Sequence, residues 1–461
     1  MKNRLNNNEL KREIGFFSAT VLVIANMVGT GIFTTSGFIM EELGNPQTML
    51  LCWFTGGIFA LCGALCYGEL GAMFPKAGGE YVFLRESYGK GVAFLSGWIS
   101  LIVGFSAPIA AAAIAFATYF FRALPGSPIS EYTGPILGVN ILTISPITIL
   151  AASVIIIFSL IHYHSLWLGT SVQNGLTIFN IGLIVVFVLA GLWLGGGSID
   201  HFSGGLDMSS VFQDKFAISL IFISFAYSGW NAAAYLGGEI KRPSRNIPLA
   251  LFTGTFLVMC LYLLLNVVYI YALHTKEMSG VLEVGAKSAI FLFGDNIGKY
   301  FSGALAIGLL SVLSAMIMTG PRVYYAMAKD SVFFELFGNI NKVHRTPAYA
   351  ILLQAAIAVV MVVTASFDKL LIYIGFTLAL CATLTVVGMI LLRTTQPALK
   401  RDYKTFGYPV TPFLFILGNL WIIYFSIRSR PIASLFGLGT IGLGILVYLY
   451  FIIRKGQNHD V

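Results

Sequence analysis

VGTGIFTTSG, residues 28–37, interrupts the first long apolar run of the chain, between GFFSATVLVIANM and FIMEELG. A glycine in a helix interior costs about 1 kcal/mol relative to alanine. At mid-membrane, each backbone N–H or C=O freed by an interruption costs several kcal/mol more unless a partner meets it. Gly29, Thr30 and Gly31 therefore mark a place where a spanning helix gives way. The freed groups must line a cavity or meet a ligand.

The surrounding composition supports a membrane setting. Of 461 residues, 57% are hydrophobic and only 10% charged, arranged as long apolar runs between short polar loops. This is the signature of an all-α polytopic membrane protein. Twelve transmembrane spans are expected, at 15–43, 47–74, 91–121, 145–164, 168–195, 212–240, 247–272, 297–329, 347–366, 370–393, 409–427 and 432–453. An even number puts both termini on one side. About 20 of the 28 Lys and Arg fall on that side, which makes it cytoplasmic. Arg428 and Arg430, in the last outer loop, go against the trend. The net charge of +8 is thus a topology signal, and no nucleic-acid partner is expected. Cys52, Cys62, Cys66, Cys260 and Cys381 all lie in apolar segments and read as small buried residues rather than disulfides. The N-terminus MKNRLNNNELKRE carries no small-residue cleavage site, so the first apolar segment is expected to be retained. No long linker appears, and residues 1–461 are expected to form one membrane domain.

A second span is also punctured. FAYSGWNAAAYLGG, residues 225–238, breaks span 6 at Ser228, Gly229 and Asn231. Glycine also serves close helix packing, so either break alone is weak evidence. Together they occupy matching positions five spans apart. Because five is odd, the second set would run inverted: 15–195 as the first repeat, 212–393 as the second, and 409–453 as helices 11 and 12. Matched interruptions of this kind point to a transporter binding site. The half-helix beginning near Ile32 offers free N–H groups and a positive dipole end to an anion. The half-helix ending at Asn26 to Val28, and the carbonyls of Phe225, Ala226 and Ser228, offer oxygens to a cation. A site with both suits the zwitterionic head of an α-amino acid.

Four stretches carry a family resemblance: GTGIF at 29–33, CYGELGAMFPKAGGEYVFLRESYG at 66–89, FAYSGWNAAAYLGGEIKRPSRNIPLA at 225–250 and GPRVYYAMAKD at 320–330. Together they resemble the amino acid–polyamine–organocation transporter superfamily, nearest its L-type amino acid transporter branch. The resemblance spans nearly the whole chain, and its second and third stretches are the specific ones. It implies the five-plus-five inverted-repeat fold of the bacterial leucine transporter, with discontinuous helices 1 and 6 and two further helices at the end. It also implies alternating access around a central amino-acid site. By position, Thr30 and Gly31 match residues that hold the substrate carboxylate, Phe225 an aromatic gate and Asn231 a polar residue near the ligand. With Gly29, Ile32, Ala226 and Ser228 these form the expected substrate-binding set. Trp230 reads as structural.

The chain departs from the family in one place. Many members carry a Lys in span 5 that replaces a sodium ion; the matching residue here is Asn180, which is expected to donate to freed carbonyls of span 1. Ser311 and Ser314 of span 8 are the candidate oxygen ligands should a sodium ion occupy that place. Glu41 and Glu42 lie at the outer end of span 1, and Glu69 and Glu239 towards cytoplasmic ends, where Arg85, Lys241 or Arg322 would pair with them. No acid is expected near a span midpoint, which disfavours proton symport. Span 3 reads SAPIAAAAIAFA at 106–117, small and apolar, and a cationic side chain would need a carboxylate there. The expected function is transport of small or medium neutral L-amino acids at the plasma membrane, by sodium-independent exchange or facilitation. The alternative is a cation-coupled symporter, or a carrier of cationic amino acids or polyamines. The six histidines share no segment with acids at metal-ligand spacing, and no enzyme activity, metal or cofactor is expected. Some family members are disulfide-linked through the loop between spans 3 and 4. Here that loop, 122–144, contains no Cys, so a monomer without a linked partner is expected, with the amino-acid substrate and the lipid bilayer as its partners.

Overall fold

The computed structural model describes residues 10–457, except 125–131, 137–138, 207–208, 210, 212, 282, 342, 365–366 and 430. Among the described residues, nine helices are long and apolar enough to cross a membrane: Pro46–Met73, Lys90–Ala123, Pro146–His164, Leu166–Leu194, Pro243–Ala272, Asp295–Lys329, Thr377–Thr395, Val410–Ser429 and Leu435–Ile453. They correspond to expected spans 2–5, 7, 8 and 10–12. Expected span 1 is a bent pair, Phe16–Met27 and Thr30–Leu43, turned by 41° at the break. Two expected spans are not continuous membrane-length helices. Span 6 is split into Asp214–Ala226 and Ala232–Tyr235, and span 9 is the 17-residue helix Ala348–Thr364.

Some helices begin where the sequence can satisfy first-turn N–H groups. Asn45 accepts from the backbone of Thr48 ahead of Pro46, and Ser145 and Thr148 form a reciprocal capping box ahead of Pro146. The all-α description holds for the membrane bundle. The loop between spans 3 and 4 adds a small antiparallel hairpin, Tyr132–Ile136 with Val139–Ile144.

Spans 3 and 8 are mostly buried, whereas span 12 is mostly exposed. Span 1 packs against spans 5, 7 and 8, at the centre of the bundle. Span 3 is not uniformly α-helical. Residues Ser100–Ser106 form a π-helical segment just ahead of Pro108, which has no N–H to give the preceding turn.

The side of the bundle that holds the N-terminus is tied by buried ion pairs. Arg322 bonds both oxygens of Glu239, at 2.9 and 3.0 Å. Glu69 pairs with Arg393 (2.9 Å to Nε) and lies 3.5 Å from Arg401 Nε. The expected Glu239–Arg322 pairing is therefore present. Glu69 instead takes Arg393 from the last turn of span 10 and Arg401 from the loop after it, and Arg85 turns to Asp330 at 2.5 Å. The N-terminal segment adds a short backbone bridge, with Ile14 N–H donating to Glu239 O and Lys241 N–H to Ile14 O, both at 2.9 Å. At the opposite side, Arg428 lies 3.7 Å from Asp214, which gives that outlying cation a partner.

Candidate functional site

The two breaks meet. In span 1 the first half-helix ends at Met27, Gly29 is extended, and the second half-helix starts at Thr30 with no side chain capping it. The first-turn N–H groups of Thr30, Gly31 and Ile32 thus have no acceptor within their own helix. In span 6 the helix ends at Ala226, Ser228 N–H turns back to Phe225 O at 3.0 Å, and Gly229 takes a φ of +97°. A Cβ on Gly31 would lie 2.6 Å from Ala226 Cα, and one on Gly229 would lie 2.6 Å from Asn26 O. Each glycine therefore lets one interrupted helix touch the other, and Gly229 also needs its left-handed conformation.

Tyr262, on span 7, joins them from the side. Its buried hydroxyl lies 2.6 Å from Met27 O and 3.0 Å from Ala226 O, so one proton is shared between a freed carbonyl of each break. Tyr262→Phe is expected to slow transport about ten-fold, the cost of leaving one buried carbonyl short of a donor. Initial uptake rates at equal reconstituted protein check this.

Two cavities adjoin the breaks. The smaller, about 30 Å³, is lined by Gly29, Thr30 and Gly31 from span 1 and Phe225, Ala226 and Ser228 from span 6, closed by small and apolar side chains of spans 3 and 8. The larger, about 110 Å³, lies beside it and takes in Asn231. Asn26, Pro108, Phe225, Ser228 and Met316 line both, so Phe225 is at the boundary the two cavities share. Of the expected binding set, only Ile32 reaches neither cavity; its side chain is fully buried in the core, and its backbone N–H is the part that belongs to the half-helix start. The expected offering of carbonyls is also narrower. Phe225 O is taken by Ser228 N–H and Ala226 O by Tyr262. Trp230 packs edge-on against Tyr67 and Phe415 while still lining the larger cavity.

The candidate ion-site residues lie where span 8 meets spans 4 and 5. Asn180 donates to Gly308 O of span 8 at 3.3 Å, not to a carbonyl of span 1. Ser311 bonds Thr177 at 2.8 Å, and Ser314 bonds His162 at 2.9 Å. The hydroxyls face separate partners rather than one centre. Among the described residues no group of three or more His, Cys, Asp or Glu converges as a metal ion would need.

One charged residue in the wall of the larger cavity was absent from the expectation. Glu80 is buried and lines the larger cavity, yet it lies on no span, so the expectation of no acid near a span midpoint is not contradicted by it. It opens the short helix Glu80–Tyr88 between spans 2 and 3. Gly78 and Gly79, at φ +119° and +51°, turn that helix inward, and Gly78 N–H bonds Tyr235 O at 3.0 Å. The π-helical segment of span 3 likewise contributes Ser100, Gly104 and Phe105 to the cavity wall.

Interrupted helices that meet at a cavity in the centre of a membrane bundle define a secondary transporter. The chain belongs to the amino acid permease family, whose profile matches residues 14–453. It is 31% identical over 452 residues to the serine/threonine exchanger SteT of Bacillus subtilis, covering 96% of this chain and 95% of that one. It is 27% identical to the b(0,+)-type amino acid transporter 1 of Mus musculus, covering 98% and 90% of the two chains. It is also 27% identical to the large neutral amino acids transporter small subunit 2 of Mus musculus, covering 95% and 81%.

Proposed function

We propose that the protein exchanges small neutral L-amino acids across the membrane by alternating access. The observation that carries this reading is the meeting of both breaks at the smaller cavity. The N–H groups of Thr30, Gly31 and Ile32, at the positive end of a half-helix, are placed for a carboxylate. Ser228, at the broken end of span 6, lines the same cavity, and its backbone oxygen would meet the ammonium group. Ala111 and Ala112 of span 3 leave room for a small side chain and supply no charge to it. The similarity to a serine/threonine exchanger supports exchange and a small neutral substrate, and that to a transporter of large neutral amino acids supports a neutral one.

In the same reading, residues 15–195 and 212–393 are inverted repeats and 409–453 supplies the last two helices. The terminal side is cytoplasmic, on the excess of Lys and Arg there. The protein works as a monomer in the plasma membrane, and its loop 122–144 has no Cys for a linked partner.

Uptake of labelled amino acids into proteoliposomes tests the proposal. Uptake of serine, threonine or alanine is expected to require internal amino acid and no sodium gradient. Strict sodium dependence, or equal uptake into empty vesicles, would refute exchange. Phe225 supplies a further check. Phe225→Ala is expected to lower turnover about ten-fold or more while substrate affinity changes little, since closure rather than head-group contact is lost. Parallel measurement of binding by calorimetry and of exchange rate separates the two.

A further inference from the structure

Three acids at the terminal side of the bundle sit against guanidinium groups: Glu69 with Arg393 and Arg401, Glu239 with Arg322, and Asp330 with Arg85. Glu80 is the exception. It is buried, it lines the larger cavity, and no salt bridge among the described residues reaches it. Its partners are neutral. Tyr67 of span 2 donates to Oε1 at 2.6 Å, Asn231 of span 6 donates to the same oxygen at 3.0 Å, and Tyr235 adds a third hydrogen bond. Among the described residues, Cys381 of span 10 is a further titratable group near it.

The chemistry of this cage is informative. Arginine can only donate, so it fixes a partner carboxyl as the anion. A tyrosine hydroxyl can donate to a carboxylate or accept from a carboxylic acid. The Glu80 cage therefore accommodates both protonation states, as the other three sites do not. Burial pushes the Glu80 carboxyl up to about 7, against the hydrogen bonds from Tyr67, Asn231 and Tyr235.

We propose that Glu80 is a proton-binding site of the central cavity, and that its protonation loosens the hold on the terminal end of span 6. The connection is direct. Asn231 ends the unwound segment of span 6, and Tyr235 ends the short helix after it. Ionised Glu80 holds both, together with Tyr67, through charge-assisted bonds. A proton arriving from the cavity neutralises the carboxylate, and those bonds fall to neutral strength. The inner piece of span 6 is then freer to move away from spans 2 and 3. Transport thus runs faster on the acid side of neutrality and slower on the alkaline side. The kinetic part rests on the cavity's being the transport path; the proton site itself does not.

Two measurements on the full-length protein test this. The first is infrared difference spectroscopy of detergent-solubilised protein without substrate, stepped between pH 5.5 and 8.5. A protonated-carboxyl C=O band that disappears at high pH, and is missing in Glu80→Gln, is expected. Absence of any such band in the wild type, or its persistence in Glu80→Gln, overturns the proposal whether or not the protein is an exchanger. The second is exchange of a neutral amino acid with the same pH on both sides. The wild type is expected to slow about five-fold from pH 6 to 8, the effect of one hydrogen bond passing between neutral and charge-assisted strength. Glu80→Gln, fixed in the neutral form, is expected to run at the acid rate at every pH. A wild-type pH profile retained in Glu80→Gln overturns the kinetic claim. If the variant keeps that profile and loses only inhibition by arginine or lysine, Glu80 is a partner for cationic side chains and the proton reading fails.

Discussion

Gly31→Leu abolishes exchange, with initial rates in proteoliposomes falling at least about 100-fold, the loss that a displacement of about 1 Å at a reacting centre can bring. The expectation rests on what stands beside residue 31. A Cβ there would lie 2.6 Å from Ala226 Cα and 2.9 Å from Ala226 Cβ. The obstacle is a backbone atom of the second break and cannot rotate away. Even Gly31→Ala must push spans 1 and 6 apart, separating the two surfaces that line the smaller cavity. That variant is expected to lose about ten-fold, in proportion to its smaller intrusion. Gly29 is the control. Its Cβ would meet only the Val312 side chain, at 3.3 Å, and its backbone is not in the left-handed region. Gly29→Ala is expected to keep the rate within about two-fold, as a small shift of one side chain costs little. Rates are compared at equal amounts of monodisperse protein. Gly31→Leu transporting at the wild-type rate would remove the meeting of the breaks from the mechanism.

The break at Gly29 to Gly31 was legible in the sequence because glycine and β-branched residues contradict an intramembrane helix locally. The Phe225 segment was legible for the same reason, and the pairing followed from position alone. What escaped was set by tertiary contact. Tyr262 is one aromatic residue in an ordinary apolar helix; nothing in its neighbours signals that its hydroxyl reaches both breaks. Glu80 reads as a loop acid until two glycines turn its helix inward. Span 3 read only as small and apolar, with nothing to say that Ser100–Ser106 would be π-helical. Asn180 was correctly seen as uncharged, yet its carbonyl partner depends on whether span 8 or span 1 lies closer, and span 8 does. The break in span 6 was expected, but not that the helix beyond it would be as short as Ala232–Tyr235.

Arg322→Ala is expected to destabilise the protein by about 3–5 kcal/mol, the cost of leaving a buried charge without its partner. Arg322 is 2% exposed and Glu239 0% exposed, so water cannot replace the missing guanidinium. The fork geometry matters as well. Nε and Nη2 bond separate Glu239 oxygens, while Nη1 turns to Met318 O on the preceding turn. Arg322→Lys can supply the charge but not the paired donors, and is expected to recover only part of the loss. The pair joins the segment after span 6 to the end of span 8, and the Ile14 bridge adds the N-terminal segment to the same cluster. Loss of Arg322 therefore loosens three chain segments at once on the terminal side. Thermal unfolding in detergent, followed by size-exclusion monodispersity, reads the effect. Arg322→Met combined with Glu239→Leu should melt nearer the wild type than Arg322→Ala, because apolar replacement removes the uncompensated charge. If Arg322→Ala alone melts with the wild type, the pair is not what holds this side together. If the double variant is stable but cannot exchange, the ion pair is needed in motion as well as at rest, since spans 6 and 8 must then separate or travel together through it.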